Sequence, residues 1–130
     1  MAVRVSNNVL DNGLLWIKNK CSRMVALKDY TPGGSYATVT AAGNILASVA
    51  MSPTDLTITS SGSGRVITSA SGKIDLSSDA TGIVTHIAFL DDSGADVLWV
   101  TEETSGLGIV AGKQSNFPSL SYYSEQIVEI

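Results

Sequence analysis

The stretch that most restricts this chain is residues 81–101, TGIVTHIAFLDDSGADVLWVT, in which two runs rich in β-branched and aromatic residues flank the polar segment Asp91-Asp92-Ser93-Gly94. Residues of that kind fit a pleated, buried surface, and a short glycine-containing break between two such runs reads as a β-hairpin. In the first run Ile83, Thr85, Ile87 and Phe89 alternate with Val84, His86, Ala88 and Leu90, so apolar side chains point both ways. A strand with two apolar faces is expected to be covered on both. In the second run Val97, Trp99 and Thr101 alternate with Leu98, Val100 and Glu102, and polarity rises toward the exit. This hairpin is the expected centre of an all-β core.

Elsewhere the pattern is of short strands broken by Gly and Ser. Asp55–Thr59, Arg65–Thr68 and Lys73–Leu76 read as strands, as do Met24–Leu27 and Phe117 to about Tyr123, with Leu107–Val110 an unassigned segment before the last strand. Such spacing predicts a mainly β, antiparallel sandwich or jelly-roll-like domain. One short amphipathic helix is expected over about 7–20, because Leu10, Leu14, Ile17 and Cys21 fall at i, i+4, i+7 and i+11, with Val9 and Leu15 widening the stripe. Ser6 or Asn8 can cap its start, and Gly13 weakens it by about 1 kcal/mol relative to Ala. Residues 36–51 are read as extended first, through Tyr36, Thr38 and Thr40, and then as a helical turn or second strand from Ile45. With 130 residues the chain fits one domain, 1–130, with an N-terminal helical segment over about 1–22. Residues 124–130 alternate polar and apolar, as a last strand or an arm that pairs with another subunit would.

Charge and cysteine content narrow the function classes. The net charge of −4 argues against a general nucleic-acid binder, which needs basic surface for phosphates. Five of the eight basic residues, Arg4, Lys18, Lys20, Arg23 and Lys28, precede Asp29, and eleven of the twelve acids lie from Asp29 onward. A basic N-terminal segment on an acidic body suits orientation against an acidic partner. Only 15% of residues are charged, against about 25% for a typical soluble domain. Cys21 is the sole cysteine, so no internal disulfide forms. No run approaches the ~18 apolar residues of a membrane helix, and the first residues lack the apolar core of a secretion signal, so synthesis and use in a cytoplasm is expected, with no membrane partner.

No catalytic, cofactor or metal site is expected. Gly106-Leu107-Gly108-Ile109-Val110-Ala111 fits the spacing of a dinucleotide fingerprint, but that fingerprint must open a helix inside a βαβ unit. His86 is the only histidine and is read as a hydrogen-bonded structural imidazole, Cys21 as a small buried hydrophobe. Asp91, Asp92 and Asp96 read as turn formers, and Phe89, Trp99, Phe117, Tyr122 and Tyr123 as core or interface anchors.

Taken together, the helix, the strand Met24–Leu27, and above all Gly82–Asp91 followed by Val97-Leu98-Trp99-Val100 resemble small structural proteins of tailed bacteriophages, most clearly over residues 71–121. Ser115-Asn116-Phe117-Pro118 departs from that family's more regular strand. The resemblance implies a virion component, made in the host cytoplasm, that decorates the capsid surface as a homo-oligomer and cements it by binding assembled major capsid protein. Under this reading Arg4, Lys18, Lys20 and Arg23 face acidic capsid surface and the tail, through Ile127, Val128 and Ile130, makes a second contact. A tail, head-to-tail connector or fibre component is the alternative. A carbohydrate-binding module or small β-sandwich enzyme would instead need a cleft joining Trp99 or Tyr122 to Asp91 or Asp96.

Overall fold

A computed structural model of the chain describes residues 7–61 and 64–124, with 7–11 and 61 as backbone only. It is mainly β and antiparallel, with a helix, α1 (Asn7–Lys20), near the N-terminus. Then follow β1 (Arg23–Leu27), the short α2 (Tyr36–Val39), β2 (Ile45–Ala50), a 3-10 turn (Pro53–Asp55), β3 (Leu56–Ser61) and β4 (Gly64–Ser69). The remaining strands are β5 (Lys73–Asp75), β6 (Gly82–Ile83), β7 (His86–Asp91), β8 (Asp96–Glu102), β9 (Gly108–Ile109), β10 (Ser115–Phe117) and β11 (Ser121–Ser124).

The central sheet has the order β2-β1-β7-β8. Alternation along β1 and β7 sends Met24, Ala26, Ile87 and Phe89 to one face and Val25, Leu27, Ala88 and Leu90 to the other, and all eight are buried. The first face packs with Leu14 and Ile17 of α1 and with Leu56 and Ile67 of the three-stranded sheet β11-β4-β3. Tyr30, Tyr36, Val39 and Ile45 cover the second face. The two-sided cover expected of the hairpin's first strand is therefore present. On the first face Phe89 and Trp99 stack with centroids 4.3 Å apart and planes 7° from parallel, and Tyr122 meets Trp99 edge-on at 5.7 Å.

The hairpin starts later than its alternation suggested. Gly82–Ile83 pairs with β9, and only from His86 does the chain join β1. Thr85 makes the change of partner: its N–H donates to Leu27 O at 3.0 Å and its carbonyl accepts from Glu103 N at 2.9 Å. Residues 36–51 depart from expectation in their first half, which is helical rather than extended, while the second strand allowed from Ile45 is present. Ser35 Oγ accepts from Thr38 N at 3.2 Å, Thr40 Oγ1 donates to Tyr36 O at 2.8 Å and Asn44 Nδ2 donates to Val39 O at 2.9 Å. These local side-chain bonds offer the backbone an alternative to a ladder, so the threonine-rich stretch becomes one helical turn. The strand follows it because Ile45–Ala50 has β1 to pair with. The strand expected over 117–123 is split: Pro118 has no N–H for a ladder, and the chain turns there from β10 to β11.

Candidate interaction surfaces

The basic residues singled out in the sequence are not equivalent in space. Lys18 turns back onto its own chain, donating to the carbonyls of Pro53, at 2.6 Å, and Leu56. Arg23 pairs with Asp92 at 3.1 Å, and its buried Nε meets no acceptor among the described residues. Asp92 also accepts from Tyr36 Oη at 2.7 Å and Ser22 Oγ at 3.1 Å. Burial alone would push the Asp92 carboxyl up, but the hydrogen bonds from Tyr36 and Ser22 and the Arg23 charge hold it below the usual carboxylate range. This cluster pins the α2 cover to the sheet. Lys20 is exposed, with Nζ 5.1 Å from the Trp16 ring centroid. Arg4, Ile127, Val128 and Ile130 lie outside the described residues.

Other singled-out residues serve architecture. Thr85 Oγ1 donates its one proton to Lys28 O at 2.9 Å, so at its 2.9 Å contact with His86 Nδ1 it accepts, which places a proton on Nδ1. The ring also lies 5.3 Å from Tyr30. Asp91 is buried and accepts from Gly94 N at 3.1 Å, closing the hairpin tip. A Cβ on Gly94 would come within 2.6 Å of that carboxylate, which accounts for the glycine. Cys21 sits just past α1 with its N–H bonded to Ile17 O, and burial pushes its thiol up to about 11. Gly108–Ile109 is a strand rather than a helix start, so the glycine run is not a dinucleotide fingerprint. Trp99 is buried rather than lining a cleft, and among the described residues the groove that Tyr122 lines contains no carboxylate.

Two surfaces remain, neither of them legible in the spacing of charges. In the first, the outer side of α1 presents Leu15 and Trp16, the latter 56% exposed, beside Tyr122 at 43%. Between them lies a groove of about 310 Å³ lined by Gly13, Leu14, Trp16, Ile17, Leu98, Tyr122 and Ser124. It runs between α1 and two strands, β8 and β11, each at the edge of its sheet. In the second, the two small ladders β5/β10 and β6/β9 present Ile74 and Ile83, and Leu76 and Val110 follow directly on β5 and β9, with Leu76 78% exposed. The segments that carry them are joined by Ser78 N to Lys113 O and Gly112 N to Ser78 O, at 2.9 and 2.8 Å. Trp16 escaped the sequence reading because the helical stripe drew attention to Leu14 and Ile17. The available signal was an indole on the polar side of an amphipathic helix, four residues before a lysine.

No family model, curated protein or solved structure matches the chain.

Proposed function

We propose that this chain is a structural, protein-binding component of a tailed-bacteriophage virion, one that decorates the head by binding assembled major capsid protein. The observation that carries the protein-binding part is the aliphatic surface on the two small ladders. Exposed apolar residues scattered singly are ordinary, whereas several on one region mark a contact site. The exposed fractions of Ile74, Leu76, Ile83 and Val110 amount to a little over two whole side chains. At ~1.5–3 kcal/mol for each aliphatic side chain fully covered, the surface is worth roughly 3–7 kcal/mol. Association itself costs about 4–15 kcal/mol. One copy on one capsid subunit is therefore held weakly, and firm attachment needs several contacts at once, as a repeating shell provides. A protein that binds the assembled shell and not its separated subunits stabilises the shell by mass action. The hairpin resemblance at Gly82–Asp91 and Val97–Val100 supplies the virion context for this surface.

The test compares particles carrying and lacking the chain. Particles without it are expected to release their genome at lower temperature and under milder osmotic shock, and adding the purified chain back should restore resistance. Equal resistance with and without it overturns the decoration role. Attachment at the tail junction, with the head bare, would place the chain with the connector or tail instead.

A further inference from the structure

We infer that the groove between α1, β8 and β11 is a self-association site, in which the Trp16 indole of one copy seats over Gly13 of a second copy. The proposal concerns a surface separate from the aliphatic one and does not rest on the capsid reading.

Three observations carry it. Gly13 lies inside α1, where glycine is the least favourable residue after proline. Its backbone has no positive φ, and a Cβ built there meets nothing within 4 Å, so nothing among the described residues requires glycine at this place. What the missing Cβ leaves is room in the groove that Gly13 lines. The same surface also carries a projecting group of the right kind. Trp16, 56% exposed, stands at the rim of that groove, with the exposed Lys20 against its ring. A surface bearing both a knob and a hole is self-complementary, which is the requirement of a two-fold interface: each copy inserts its Trp16 beside the other's Gly13. Tryptophan seated in a groove is the commonest kind of interface anchor.

Area bounds the strength. At 150–250 Å² for a whole aromatic side chain, the exposed parts of Trp16 and Tyr122 offer roughly 200 Å² per copy, about a third of the ~600 Å² per partner in the smallest specific interfaces. Leu15, Leu98 and the neighbouring strand edges must supply the rest, so association in the micromolar range rather than an obligate dimer is expected. The charges suit it, since Lys20 stands on the helix and the exposed Asp96 and Glu102 on β8 offer partners of opposite sign.

The test is sedimentation equilibrium of the full chain from about 1 to 500 μM, with Trp16 emission followed in a Trp99→Phe background. The chain is expected to pass from monomer to dimer with a blue shift of Trp16 emission. Trp16→Ala, which removes the knob, and Gly13→Leu, which fills the hole, should each weaken association at least tenfold. Gly13→Ala should raise the melting temperature of the monomer while weakening association, a combination that a purely structural glycine does not give. Mixing the Trp16→Ala and Gly13→Leu chains restores one knob and one hole in the mixed pair, so the mixture should associate more tightly than either variant alone. A wild-type chain that stays monomeric across the range, a dimer indifferent to Trp16→Ala, or a mixture no tighter than its components overturns the proposal. Leu76→Asp should leave this association unchanged, which separates its failure from that of the capsid reading.

Discussion

Replacing Phe89 tests the packing that holds the two layers together. Phe89 is fully buried on β7 and stacks on its cross-strand partner Trp99 of β8, which in turn meets Tyr122 on β11, so the Phe89 ring backs the contact that reaches the three-stranded sheet. Phe89→Ala removes a whole buried aromatic side chain, a change that costs about 3–5 kcal/mol. The lost ring pair adds about 0.5–1.5 kcal/mol. The sum, roughly 4–6 kcal/mol, is a large share of the ~5–15 kcal/mol that holds a domain folded. For a chain of this length each kcal/mol moves Tm by about 3–5 °C, so a fall of roughly 12–30 °C is expected. Phe89→Leu keeps most of the apolar volume and loses mainly the stack, so it should cost only about 1–2 kcal/mol. Urea unfolding followed by Trp99 emission gives both values from the shift in midpoint at constant slope. A Phe89→Ala loss below about 1.5 kcal/mol, or a Phe89→Leu loss equal to it, would refute the view that the Phe89 ring supports the packing between the layers.

Asp92 makes stability depend on acid. Its folded-state pKa is depressed, so the stability it contributes is present above the ordinary carboxylate range and is lost as pH falls from about 4 through the lower folded value. Asp92→Asn should therefore flatten the fall in Tm between about pH 5 and pH 2, and a profile identical to wild type would show that the Tyr36–Asp92–Arg23 cluster carries no such linkage. Cys21, with its thiol pushed from 9.0 to about 11, should alkylate at pH 8 at least ~100-fold more slowly in the native chain than in urea, from thiolate fraction alone. Native and unfolded rates within a few-fold of each other would contradict its burial. Leu76→Asp, at a side chain 78% exposed, should shift folding stability by less than about 0.5 kcal/mol while lowering occupancy on assembled heads about tenfold or more; full occupancy would remove Leu76 from the contact.

The core was legible because β1 and β7 write their burial directly into alternating side chains: Met24 and Val25, or Phe89 and Leu90, are apolar neighbours that can only be satisfied by cover on both faces. The helix was equally plain from the spacing of Leu14 and Ile17. What alternation could not convey was the change of partner at Thr85, since β6 and β7 are one run in sequence but belong to different ladders. Nor could it convey the helical turn at Tyr36–Val39, which depends on hydroxyl and amide bonds from Ser35, Thr40 and Asn44 rather than on apolar period. The surfaces were harder still. Lys18 and Arg23, expected to face an acidic partner, are turned by the fold onto Pro53 and Asp92, and Gly13, expected only to weaken the helix, lines a groove. Ile74 and Leu76 lie far in sequence from Val110, and the segments that carry them and Ile83 are joined only because the chain closes the Ser78–Lys113 and Gly82–Ile109 contacts.

The central claim, that this chain decorates assembled heads, is tested most directly by an image reconstruction of intact particles. Density for the chain is expected in many copies across the head lattice, with the segments carrying Leu76 and Val110 against capsid subunits. Heads bare of that density, or the chain confined to a single ring at the tail junction, would contradict it.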